Sequence, residues 1–124
     1  NSLKWSTQST HASTIKYFKG LIALRKAHPA FRMETTDQVR KNLKFLTSPE
    51  GTIAYSINGS AVKDSAATVV VVHNASTSPQ SITLPKSGSW SVLVESGRAG
   101  TTVLRKVNGN TIMVEARSTL VLTQ

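Results

Sequence analysis

The sequence, 124 residues long, contains no cysteine. That excludes disulfides, thiolate nucleophiles and zinc sites with Cys ligands, and it leaves the redox compartment open. No apolar run approaches the roughly 18 residues a membrane helix needs, so no membrane partner is expected. Acidic residues are scarce: there are six, against fifteen Lys and Arg, for a net charge of +9. Hydrolysis of a glycoside needs two carboxylates facing one another across the bond. Only Glu95 and Glu115 fall on candidate neighbouring strands. Neither has flanking residues that would desolvate a cleft, and surface carboxylates are the simpler reading. Neither a Gly-x-Ser-x-Gly elbow nor a glycine-rich phosphate loop is present. His11, His28 and His73 are far apart and lack the helical pairing that suggests a metal. We therefore expect no catalytic residue, no metal and no cofactor. His28 reads as a cation at a helix C-terminus. His73, ending a strand, reads as bonding a turn.

What is present divides near residue 47. Before it the period is helical. Ser9 or Thr10 can cap a helix running to about Ala27, which Pro29 stops. Ile15, Phe18, Leu21, Ile22 and Leu24 fall on one broad stripe, with Lys16, Lys19 and Lys26 mostly off it. A second short helix starts at Thr36 and carries Val39, and Leu43 to Leu46 looks extended. The first 45 residues hold nine of the basic side chains and two of the acidic ones. That balance invites a nucleic-acid reading, but the usual modules leave no motif here, and a solvated helix face is the simpler account.

After residue 47 the period is two. Candidate strands are 52–58, 68–74, 80–84, 90–96, 101–107, 111–114 and 118–122, separated by turn signals such as Pro49-Glu50-Gly51 and Pro85 to Ser89. Asn108-Gly109 between two apolar runs predicts a hairpin. Val69 to Val72 is continuously apolar and predicts a central strand buried on both faces. The segment 58–67 reads as a mobile loop. Asn58-Gly59-Ser60 and Asn74-Ala75-Ser76 match the N-glycosylation sequon. The fold class is mainly β: an antiparallel sandwich of about seven or eight strands preceded by an α-helix. Trp90, Val92 and Val94 alternate onto one face, so Trp90 is expected in the core. Trp5 is the other candidate for stacking on a sugar.

The stretch Tyr17 to Arg32, above all Ile22 to Arg32, closely resembles the last barrel helix of α-amylase superfamily glycoside hydrolases, and in particular the bacterial type I pullulanases. Weaker likeness continues through Asn42 to Leu46, Ile53-Ala54-Tyr55, Val70 to Ala75, Leu84-Pro85, Trp90-Ser91-Val92, Ala99-Gly100 and Ser118 to Leu122. The resemblance implies that residues 1–42 are a loop and the last helix of a (β/α)8 barrel with a short connecting helix, and that 43–124 are a C-terminal β-sandwich domain. The sequence starts Asn-Ser-Leu, and we read it as a processed chain or a piece of something longer. Asn1 and Trp5 fit the Asn-x-x-x-Trp spacing of the pullulanase loop after the eighth strand, which implies a substrate-binding role; Lys4 departs from the acidic residue common before that Trp.

In that family an Asp nucleophile, a Glu acid/base and a second Asp follow the fourth, fifth and seventh barrel strands, segments with no counterpart here. The expected function is a non-catalytic domain of a starch-debranching enzyme, with the catalytic barrel as partner. The alternatives are a standalone α-glucan-binding module using Trp5 or Trp90, and a basic nucleic-acid-binding domain. The helix is expected to keep its stripe covered, by docking on the sandwich or through a homodimer.

Overall fold

Helices come first and strands follow. The structure, a computed structural model, describes residues 12–124. Helix α1 spans Ala12–Ala27, a 3-10 turn spans Pro29–Arg32, and helix α2 spans Thr36–Asn42. Thr35 caps α2: the Gln38 backbone N–H donates to its hydroxyl at 3.1 Å, satisfying a donor the helix leaves free.

The strands are β1 (Leu43–Phe45), β2 (Thr52–Asn58), β3 (Thr68–Asn74), β4 (Gln80–Thr83), β5 (Ser89–Glu95), β6 (Arg98–Ala99), β7 (Arg105–Asn108), β8 (Thr111–Val114) and β9 (Ser118–Thr123). Seven form one antiparallel sheet in the order β1-β2-β3-β9-β5-β6, with β7 also paired to β5, and β4 and β8 form a second sheet. The mainly β class and the sandwich are thus as the sequence implies. Strand β6 and the segment 101–104 differ from expectation: 101–104 lies outside the strands, and the pairing resumes at Arg105.

The large sheet is buried on both faces. Between the sheets lie Val70, Val72, Ile82, Trp90, Val92, Leu120 and Leu122. On the other face Val69, Val71, Leu93, Val94 and Val121 pack with Ile57 and with Leu24 of α1. Strand β3 supplies both layers, as its unbroken valine run predicts.

Three local expectations are corrected. Asn108-Gly109-Asn110 does not close a hairpin. It carries the chain from β7 in the large sheet to β8 in the small one, with only Gly109 of the three at positive φ, 108°. Trp90 and Val92 share the inter-sheet core, but Val94 does not join them. A bulge at Leu93 shifts the register against β9, so Val94 faces the helix. The segment 58–67 is not free: it makes a 3-10 turn over Ser60–Val62 and buries Asp64.

Candidate docking interface

Helix α1 lies on the outer face of the large sheet, nearest β6. Gly20 is the reason it lies so close. A Cβ there would run into the Ala99 carbonyl, and glycine alone removes the obstacle. Tyr17, Leu21 and Leu24 turn toward the sheet.

The C-terminus of α1 is fastened by a buried polar knot. Lys63 takes the left-handed conformation, φ 62°, and Asp64 follows it into the interior. Asp64 accepts from the backbone N–H groups of Ala66 at 2.9 Å and Ala30 at 3.1 Å, and His28 Nδ1 lies 2.8 Å from its Oδ1. A carboxylate only accepts, so Nδ1 carries the proton in this contact. Burial alone would raise the Asp64 pKa. The hydrogen bonds from Ala66, His28 and Ala30, with the His28 charge, outweigh it and hold the carboxyl below its ordinary value. His28 is therefore a tether to the loop 36 residues on, rather than only a cation at a helix end. The spacing of Asp64 and Ala66, an Asx-turn pattern, was the one local signal for it.

The rest of the apolar stripe is uncovered. Phe18 is 60% exposed and Ile22 56%, Ile15 is half-buried, and Lys16, Lys19 and Lys26 face solvent. The single stripe expected from the sequence is thus split in two, one side on the sheet and one free. On the same face of the large sheet Phe45, Tyr55 and His73 form a row across β1, β2 and β3. The ring centroids are 6.1 Å apart for Phe45–Tyr55 and 6.4 Å for Tyr55–His73. Phe45 is 75% exposed and neighbouring Ile53 55%. Between this row and α1 opens a hollow of about 830 Å³, lined by Tyr17, His73, Ser96, Glu115, Arg117 and Thr119 among others. His73 Nδ1 lies 2.9 Å from Thr119 Oγ1 on β9, a neighbouring strand and not the turn expected. Burial raises the Tyr55 pKa, so its phenol stays neutral at physiological pH.

The remaining candidates are structural. Trp90 is fully buried, and its Nε1–H donates to the Lys86 carbonyl at 3.1 Å, so it offers no face to a sugar. Glu95 on β5 is held by Arg105 Nε at 3.0 and 2.9 Å, and that bond lowers its pKa. Glu115 follows β8 in the other sheet, so the two glutamates do not share adjacent strands. Asn74 is buried, its amide donating to the carbonyls of Ser78, Val114 and Glu115, which closes that sequon to a glycan in the folded chain. Asn1, Trp5 and His11 lie outside the described residues. Among the described residues no three or more His, Asp or Glu side chains group as metal ligands.

A β-sandwich with a helix seated on one sheet, an exposed apolar strip beside it and its buried carboxylate engaged in tethering has the form of an all-β accessory domain. The pullulanase all-beta domain family matches residues 39–98. A pullulanase of Bacillus subtilis (strain 168) is 33% identical over 95 residues, covering 77% of this chain and 13% of that protein. The solved pullulanase from Bacillus acidopullulyticus superposes with a TM-score of 0.92 at 36% identity, covering all of this chain and 15% of that one. The Bacillus subtilis pullulanase type I complexed with maltose gives 0.85 at 28% identity, covering 99% and 17%. The chain belongs with the pullulanases and carries their all-β domain. It spans less than a fifth of the length of each of these relatives.

Proposed function

We propose that the chain is the non-catalytic C-terminal part of a starch-debranching enzyme, and that it packs on and stabilises the catalytic barrel. The parent hydrolyses α-1,6-glucosidic linkages of pullulan, amylopectin or glycogen by a retaining two-carboxylate mechanism. Residues 1–42 contribute a loop and the last barrel helix, and 43–124 the sandwich.

The observation that carries this reading is the split stripe of α1. A helix between two layers needs an apolar side for each. Tyr17, Leu21 and Leu24 meet the sandwich, while Phe18 and Ile22 remain for the barrel, whose outer ring is made of such helices. Each of the latter side chains represents about 1.5–3 kcal/mol when fully buried. The exposed row Phe45–Tyr55 favours a second reading, in which this face holds α-glucan.

The test is assembly from parts. The chain is mixed with a separately produced pullulanase catalytic portion that lacks the corresponding segment. We expect co-elution, recovery of pullulan hydrolysis, and loss of both with the paired change Phe18→Asp and Ile22→Asp. The chain alone should release no reducing sugar. Retention on immobilised pullulan, lost with Phe45→Ala but not with the helix pair, would replace this reading with the glucan-binding one. Sedimentation as a dimer that the helix pair disrupts would mean that a second copy covers α1.

A further inference from the structure

On the opposite side of the large sheet, a recess of about 300 Å³ is lined by Lys41, Lys44 and Lys86 among others. Side chains alternate along a strand, so Lys44 and Ser56, paired across β1 and β2, point away from the face that bears Phe45 and Tyr55. The recess therefore opens away from the docking face.

Polar side chains make up most of its wall, with Ile57 and Pro85 between them. Ser56, Asn42, Asn58 and Thr68 line it. The Lys86 ammonium donates to Thr68 Oγ1 at 3.3 Å, and Thr68 is itself buried. The Lys86 carbonyl is fixed in turn by the Trp90 indole. One cation is thus held in place at both its backbone and its head. Lys41 has the exposed Asp37 as an ion-pair partner at 3.1 Å, whereas among the described residues Lys44 and Lys86 have no carboxylate within 4 Å. Lysines lining one recess together with hydroxyl and amide groups form a setting for an oxyanion, since hydrogen bonds to an ionised acceptor are roughly twice as strong as neutral ones. The volume stands at the lower end of ligand pockets, which fits a small anion or a monosaccharide bearing one.

We propose that this recess is a binding site for a phosphate group, either free or carried as a monoester on a sugar. Lys44 and Lys86 supply the charge, and Ser56 and Asn58 supply hydrogen bonds to the non-bridging oxygens.

The test is titration of the 124-residue chain with inorganic phosphate and with glucose 6-phosphate, followed by amide chemical shifts at constant ionic strength. We expect saturable shifts centred on Ser56, Asn58 and Thr68. The paired change Lys44→Gln and Lys86→Gln should weaken binding about tenfold or more, while Lys19→Gln, on α1, leaves it unchanged. Tighter binding of glucose 6-phosphate would assign the site to a sugar-borne phosphate, and equal binding to the free anion. Shifts that fail to saturate, that spread over all lysines, or that respond equally to Lys19→Gln would overturn the proposal. Because the shifts are read in the unaltered chain, a variant that failed to fold would leave this test intact.

Discussion

Two side chains carry most of what single residues decide. Trp90 fills the space between the sheets and satisfies its only donor on the Lys86 carbonyl. Its replacement by alanine should cost about 3–5 kcal/mol in denaturant unfolding, whereas Trp90→Phe should cost far less. Its place was legible beforehand, because an aromatic alternating with valines at a strand start has few other uses. Asp64 was not legible: its partner His28 is 36 residues away, and nothing local pairs them. Its folded pKa is depressed, so its contribution is fully present above the unfolded value of about 3.9 and is lost as pH falls through the folded value. Asp64→Asn should therefore lower the melting temperature near pH 7, and the gap from the parent chain should shrink as pH drops below about 4. A gap that widened in acid would contradict this account of the tether.

At the scale of elements, period and punctuation found the helices and most strands, because each is set by its own residues. They could not tell which sheet a strand joins, since that depends on partners distant in sequence. Asn108-Gly109 shows the limit: the turn chemistry is right, yet β7 and β8 pair with β5 and β4 instead of each other. The bulge at Leu93 is a second case, because one extra residue sends Val94 to the other face without altering the hydrophobic pattern. Helix α1 offers a sharp test. Glycine inside a helix normally costs about 1 kcal/mol relative to alanine, so propensity alone predicts that Gly20→Ala stabilises. Contact with the Ala99 carbonyl predicts the reverse. We expect a lower melting temperature, together with faster amide exchange from Leu21 to Leu24 as the helix lifts from β6. In the unaltered chain those amides should exchange more slowly than in a free peptide.

In the whole molecule, two layers share one sheet. Phe18, Ile22, Phe45 and Ile53 are exposed on the side of α1, and the lysine-lined recess opens on the other. The sequence disclosed the layered plan through its change of period, but not which side of α1 would stay bare, since both sides are apolar. One feature of the large sheet also governs the order of assembly. Strand β9, the last in sequence, is inserted between β3 and β5 and pairs with both. Until Ser118–Thr123 arrives, β1-β2-β3 and β5-β6-β7 are separate ribbons, each with an unpaired edge, and one of those edges is the valine run. Long-range pairing is slow and open edges recruit other strands, so these edges are open to aggregation until β9 closes the sheet. A chain ending at Arg117 should show no buried-tryptophan fluorescence from Trp90 and should aggregate. Adding the missing strand as a peptide of residues 118–124 should restore the signal, making the closing step of folding an event that can be started at will.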